Sequence, residues 1–435
     1  MEGEPFSFKK YFKMFEDYPK SIIIKTAVYL YGLRMTRRAL EHESIRNANT
    51  ARYWIFTHDR RRPSRDTMLM LPTLFQLLNI DGRKYGPWAQ MSYNENSPYL
   101  IDIVDDKPMI CEQFKPDEEP EPIVEIRYDP KPKYNSKKTS DGIPLPFIGS
   151  LLQNGIQLFC TVNRHCQLWD YGLQCKFCDL NATVKQMIEA GVRMPVYKKP
   201  QQVLEAVEAS VQEAPGKFHY IMLSGGTIID PVKSFGKTDT EFYLEFVKAI
   251  TDRYGRRYSI QLQTIAKDLN DCIKLAEAGV TVHHANIEVW DPHLFKWICP
   301  GKEKLVGRDE WIRRVVKSVE VFGEGNVVPV FVQGVEMAQP YGFKTVDEAV
   351  KSNMEGWEYL IRNGVTPRWH IWTIEEGSEF RDQKPPPMEY YLRTSRMYYD
   401  LSRDYQLNPP RVHYAYGESS MTVTTQYDWY LIGGW

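Results

Sequence analysis

The chain has 435 residues, of which 43% are hydrophobic and 26% charged, a globular balance that suits one large enzyme domain with an accessory region, or two ordinary domains. Its 55 basic and 56 acidic residues leave a formal net charge of −1, which offers no general attraction to nucleic acid or to an anionic membrane. Residues 1–17 do not read as a signal peptide, and no run approaches the roughly 18 apolar residues of a membrane span, so a cytoplasmic protein without nucleic-acid or membrane partners is expected.

In chain order, the first apolar run, 22–33, is interrupted by Lys25 and predicts a buried helix. Aromatic and basic residues crowd 52–65 (RYWIFTHDRRRPSR). The stretch 115–146 is dense in proline and charge, which breaks helices and suits an extended connector over a surface. Composition therefore divides the chain into an N-terminal accessory region, 1–150, a regular region, 151–405, and a C-terminal extension, 406–435.

Within the regular region, strand-length apolar runs alternate with segments of helical period. Strands are expected at 155–160, 219–223, 259–263, 282–288, 327–333 and 368–373. Helices are expected at 200–212, 238–254, 269–278, 309–321, 345–362 and 388–405, with Gly279 as a helix stop. Six β–α units in succession imply an α/β fold with a parallel sheet and right-handed crossovers. Eight would close a TIM barrel; six point to an open, partial (βα)6 barrel with its chemistry at the C-terminal strand ends.

Four of the seven cysteines fall between Cys160 and Cys178, a clustering unlike a disulfide-stapled secreted domain. The segment 166–178, CQLWDYGLQCKFC, follows the first expected strand. Three thiolates, Cys166, Cys175 and Cys178, suit iron–sulfur chemistry, and a cluster with three protein ligands leaves one iron open. Cys160 is an alternative to Cys166. The competing reading is a structural zinc knot with Cys160 or His165 as fourth ligand, although the usual two-pair spacing is absent.

With Phe177 just before the third cysteine, this segment resembles the cluster motif of the radical S-adenosylmethionine (SAM) superfamily. The eight-residue gap between Cys166 and Cys175 departs from the three-residue gap of most members. The resemblance spans roughly 150–405, and 286–323 looks like the biotin synthase, thiazole synthase ThiH and HydE group. It implies a [4Fe–4S] cluster and SAM as cofactors, and an electron donor such as ferredoxin or flavodoxin. It also implies reductive cleavage of SAM to a 5′-deoxyadenosyl radical, which takes hydrogen from a small-molecule or cofactor-precursor substrate. By the same resemblance, Ser224, Gly225 and Gly226 lie where the backbone approaches the amino group of SAM, although Thr227 stands where many members carry an acid. Gln261 and Gln263 share one face of the third strand, as contacts to ribose or substrate or as a polar edge. Glu288 takes the position that faces ribose, and Gly334 the position near adenine.

Other residues keep two readings. Arg368, Trp369, His370 and Trp372 border substrate or fill the core. His283 and His284 face opposite ways on a strand and cannot readily share a metal. Cys299 is the only candidate catalytic side chain, as hydrogen donor or radical trap, against a plain small hydrophobe; Cys111 and Cys272 read as structural. Asp291, before Pro292, reads as a helix N-cap. Asp291-Pro292-His293 lacks the glycine of a familiar cobalamin motif, which leaves cobalamin held in another way open. Two further functions compete: a radical methyltransferase acting on a protein or small-molecule carbon, with Arg60, Arg61 and Arg62 available to dock a protein, and a non-catalytic zinc-binding protein.

Overall fold

A computed structural model of the chain describes residues 5–52 and 70–406. Arg60, Arg61 and Arg62 and the expected extension beyond residue 406 lie outside the described residues.

The early apolar run forms the helix Lys20–Tyr31, which buries Ile22, Ile23, Ile24, Ala27 and Val28 and even the stem of Lys25. A helix apolar on every side must be surrounded. This one packs against the strands Leu74–Ile80 and Arg83–Gln90, and also against the strand Arg368–Ile371 and the helix Met388–Asp404. It thus joins the accessory region to the end of the chain's regular region. The accessory region is built on a six-stranded sheet, in the order Arg34–Met35, Tyr99–Val104, Lys107–Glu112, Glu121–Tyr128, Leu74–Ile80 and Arg83–Gln90. The expected connector at 115–146 is therefore corrected, because Glu121–Tyr128 is an inner strand of this sheet. Val124, Ile126 and Tyr128 alternate into the core, and Pro122 falls where the register shifts against Cys111, a place that tolerates a missing N–H.

Six parallel strands follow: Gln157–Asn163, Tyr220–Gly225, Ser259–Gln263, Val280–His284, Val330–Gln333 and Arg368–Ile371. The antiparallel Ser150–Leu152 covers the outer edge of the first. The first four strands form a continuous ladder, as do the last two. Between these groups the fourth and fifth strands touch only at the isolated bridges His283↔Val327 and Glu288↔Phe331. The fourth and fifth strands are thus shorter than the expected 282–288 and 327–333. The reason is local: the chain leaves the ladder after His284, the Asn286 side chain accepts from the Val330 N–H at 3.2 Å, and Glu288 rejoins at φ 71°.

The six expected helices form as Pro200–Glu213, Asp239–Tyr254, Leu269–Ala278, Arg308–Phe322, Val346–Arg362 and Met388–Asp404. Thr238 with Glu241, and Thr345 with Glu348, close capping boxes that fix two of their starts. Between residues 151 and 405 three further α-helices form, Leu180–Glu189, Pro292–Ile298, whose N-cap at Asp291 the sequence indicates, and Pro300–Leu305. All are short, and they follow directly on the cysteine segment or the broken end of the fourth strand. Asp291 caps Pro292–Ile298, accepting from the N–H groups of His293 and Leu294 at 2.9 Å each. Among the described residues no helix is long and apolar enough to cross a membrane.

The accessory sheet meets the parallel strands through buried Asp129, whose carboxylate accepts from Asn49 Nδ2 at 3.2 Å and the Asn154 N–H at 2.6 Å. Burial outweighs these bonds and raises its pKa to about 6. Between the unfolded value near 4 and about 6, the folded chain keeps a proton that the unfolded chain has released. Stability therefore falls as pH rises through that window. The shift corresponds to roughly 2–3 kcal/mol. Asp129→Asn should flatten this slope, so that urea unfolding at pH 4.5 and pH 7 separates the two proteins by about that amount. Equal slopes would refute the assignment.

Candidate active site

The second parallel strand ends in Gly225-Gly226-Thr227, and the cysteine segment lies directly on it. A Cβ at Gly226 would stand 2.5 Å from both N and Cα of Cys166, and one at Gly225 would stand 2.7 Å from the Asn163 carbonyl. Only glycine permits this approach. Hydrogen bonds then join the two segments: the Gly226 N–H donates to the Asn163 carbonyl at 2.9 Å, Asn163 Nδ2 donates to the Gly226 carbonyl at 2.8 Å, and the Gln167 N–H donates to the Thr227 carbonyl at 3.0 Å.

Cys166 is also held from the other side. Its N–H donates to Asn181 Oδ1 at 2.8 Å, and Asn181 Nδ2 returns a bond to its carbonyl at 3.1 Å. The eight-residue gap folds as a 3-10 turn, Gln167–Tyr171, closed by Gly172 at φ 64°. Beyond it, the Lys176 N–H donates to the Ile298 carbonyl at 2.9 Å, and the Phe380 N–H donates to the Lys176 carbonyl at 3.0 Å. The Cys178 N–H donates to the Cys175 carbonyl at 3.0 Å, and the helix Leu180–Glu189 starts two residues later.

One cavity at the C-terminal strand ends is walled by Cys166, Cys175 and Cys178, with Phe177, Gly225, Gly226, Gln263 and Glu288. None of the three cysteines is in a disulfide. Ser224 supports the wall from behind, its hydroxyl donating to Gln263 Oε1 at 2.7 Å. The rest of the expected set lies elsewhere. Gln261 is fully covered, 3.3 Å from His284 Nε2, and is not on the wall. Gly334, at φ 105°, packs against Tyr391 and Pro386 and is also absent from the wall. Cys160 is buried against Gly149, whose Cβ position is 2.6 Å from its sulfur, so it is turned away from the cavity that Cys166 borders. His165 is engaged by Asn181 at 3.2 Å and by Asp170. Among the described residues no three His, Cys, Asp or Glu side chains converge as a single metal ion would need.

Glu288 sits in the cavity in a left-handed conformation that a glutamate seldom adopts, the kind of strain held at functional sites. Lys302 pairs with it, Nζ to Oε1 at 2.6 Å, and donates also to the Asn286 carbonyl at 2.7 Å. The ammonium lies 4.7 Å from the Trp311 ring centre. Burial lowers the Lys302 pKa, but Glu288 and the nearby thiols reverse this and hold it above its ordinary value. Lys302 and Asn181 escaped sequence reasoning. Lys302 lies 14 residues past Glu288 in an unexpected helix, and no local pattern links the two. Asn181 had a signal, as a hydrogen-bonding side chain in the first turn of a helix that begins just after Cys178.

Burial raises the pKa of Cys166 and Cys178. Cys175 goes the other way, lowered by a hydrogen bond from Cys299, whose own buried thiol is pushed well up. Cys299 is thus a neighbour of the thiol set, fully buried and not on the cavity wall. Cys111 and Cys272 are buried in a strand and a helix. Trp369 is core, stacked on Trp357 at 6.2 Å, and Trp372 meets Phe380 at 5.7 Å. Arg368 is buried, with Nη1 donating to the Tyr398 hydroxyl at 2.9 Å. His283 and His284 are both buried, and burial lowers their pKa values to about 3 and about 4.

No family model matches the chain. It is 24% identical over 284 residues to a bacteriochlorophyllide c C-7(1)-hydroxylase from Chlorobaculum limnaeum, an alignment covering 63% of this chain and 66% of that protein. The chain therefore spans just under two thirds of that relative's length. Among solved structures it is similar to methylornithine synthase (PylB), at 15% identity and a TM-score of 0.41, covering 56% of this chain and 62% of that one. It is similar to HydG, a maturase of the [FeFe]-hydrogenase, at 14% identity and a TM-score of 0.38, covering 59% and 50%. A radical SAM methyltransferase from Sphaerobacter thermophilus gives 12% identity and a TM-score of 0.35, covering 72% and 76%. The proteins it resembles are enzymes.

Two outcomes test this geometry. Gly226→Ala should push the Cys166 backbone aside, so iron retained after anaerobic reconstitution falls several-fold while far-ultraviolet circular dichroism is unchanged. Lys302→Met should strand the Glu288 carboxylate and cost about 3 kcal/mol in chemical denaturation. Glu288→Gln in the same chain should restore most of that loss; additive losses in the double variant would sink the pairing.

Proposed function

We propose that the chain is a radical SAM enzyme in which Cys166, Cys175 and Cys178 hold a [4Fe–4S] cluster and leave one iron for SAM. The single observation that carries this is the meeting of these three disulfide-free thiols with the Gly225-Gly226 pair on one cavity wall. The donor set fits: thiolates suit iron, and the glycine wall leaves room for backbone contact with a ligand. When bound, the cluster would pass one electron to the sulfonium of SAM, splitting it into methionine and a 5′-deoxyadenosyl radical that takes a hydrogen atom from the substrate.

The chain's own groups would position the reactants. The Gly225-Gly226-Thr227 backbone borders the thiols, where the amino end of SAM would lie. Gln263 and Glu288 present a carboxamide and a carboxylate to the same cavity, suited to ribose hydroxyls. Lys302 holds the Glu288 carboxylate in place through its 2.6 Å ion pair. The six parallel strands, joined in chain order, would form a partial (βα)6 barrel around this cavity, with the accessory region packed on its last strand. Leu168, Trp169, Ile265 and Trp311 add apolar wall that would exclude water from a radical.

The hydroxylase to which the chain is similar acts, by its name, at a carbon of a bacteriochlorophyllide. Hydrogen abstraction from carbon is a step compatible with such a reaction, so we assign the substrate to small molecules or cofactor precursors bearing an unactivated C–H bond. Anaerobic reconstitution followed by dithionite and SAM should yield 5′-deoxyadenosine and methionine, and Cys175→Ala should abolish both. Zinc-loaded protein that leaves SAM intact would overturn the proposal; S-adenosylhomocysteine as main product would turn it toward methyl transfer.

A further inference from the structure

The outer side of the cysteine segment carries an exposed aromatic face. Tyr171 is 51% exposed, Phe235 66% and Val232 88%. Single exposed apolar residues mean little, but a contiguous group does. Lys233 ties the group together, its Nζ 5.0 Å from the Tyr171 ring centre and 3.6 Å from Asp170. The Phe235 ring stands edge-on to Tyr197 at 5.4 Å. Among the described residues this face is uncovered.

Two turns form it, Gln167–Tyr171 and Pro231–Ser234, and they are locked to each other. The buried Gln167 side chain accepts from the N–H groups of Ile229 and Asp230 at 2.8 and 2.7 Å, and donates to Ser234 Oγ at 2.6 Å. Phe235 sits at φ 60° and Gly236 at φ 76°. A phenylalanine in the left-handed region is strained, and at this exposure it recovers little of that cost through burial. A glycine or asparagine would meet this turn at lower backbone cost, and beyond its edge contact with Tyr197 the ring is left to solvent.

The first turn also separates inside from outside. Leu168 and Trp169 wall the cavity beside Cys166, while Tyr171 faces solvent five positions past that cysteine. We propose that Tyr171, Val232, Lys233 and Phe235 form the docking surface for the protein that delivers the electron, a small reduced flavin or iron–sulfur protein. The inference rests on the radical SAM function proposed above. SAM and substrate occupy the inner side of the cysteine segment in that function, so a macromolecular donor must approach its outer side. Electron transfer slows steeply with distance, and this face is the outer surface of the turn that starts at Cys166. Redox encounters use small interfaces, under about 1,200 Å², and a small patch of exposed aromatic residues around one lysine beside the cysteine turn suits such a compact donor. One electron leaves the donor's flavin or cluster and enters the site; no bond changes at the docking face.

The test compares wild type with a Val232→Glu/Phe235→Glu double variant and with Lys233→Glu. Reduced flavodoxin is mixed with reconstituted protein, and both its reoxidation rate and 5′-deoxyadenosine formation are followed; dithionite replaces flavodoxin in parallel. Roughly tenfold slower flavodoxin-driven rates with unchanged dithionite-driven turnover support the proposal. Flavodoxin-driven rates equal to wild type overturn it. If the double variant loses both activities, Lys233→Glu decides by the same comparison. Variants that only dissociate a dimer in sedimentation, with donor rates unchanged, identify the face as a self-contact and overturn the proposal. Wild type that makes no 5′-deoxyadenosine even with dithionite removes the underlying function instead, an outcome distinguishable from failure of the docking face.

Discussion

The site depends on a steric allowance: at Gly226 there is no side chain, and the backbone of Cys166 takes the space one would fill. From this contact the rest follows in order. The absence of a Cβ lets the cysteine segment lie flat on the end of the second strand, and the reciprocal bonds of Asn163 fasten it there. Asn181 grips Cys166 from the next helix, and Ile298 and Phe380 anchor the segment's far end. Three thiols separated by as many as eight intervening residues thereby border one cavity without a disulfide.

A second constraint is electrostatic. Charges near the strand ends are matched before any ligand arrives, as Glu288 with Lys302 and Asp239 with Lys267 show; each pair spans 2.6 Å and is largely covered. Burying a charge without such a partner is costly. The left-handed backbone at Glu288 adds to the cost of placing a carboxylate there. That cost is met by Lys302, the Asn286 amide and the bridge to Phe331 together.

Much of this was legible in sequence. Period and composition locate the six parallel strands and the long helices because each carries its own pattern, and the cysteines and glycine pair singled out by their spacing border one cavity. The misses have physical causes. The strand Glu121–Tyr128 was hidden by prolines at its ends, although its inward residues alternate cleanly. Gln261 and Gly334 were assigned from strand phase and resemblance, which do not register depth, and both lie off the cavity wall. Lys302 was invisible because its importance comes from a partner distant in sequence.

The broken end of the fourth strand has a consequence for how the molecule yields. A continuous ladder shares strain among many bonds, whereas the join between the fourth and fifth strands rests on two isolated bridges and an asparagine side chain. The parallel layer is therefore divided four strands against two, with Glu288 at the line of division. Cooperative units of different stability meet at such lines. The carboxylate that faces the cavity thus stands where the ladder is interrupted, so a ligand that grips Glu288 would bear on both portions of the layer at once.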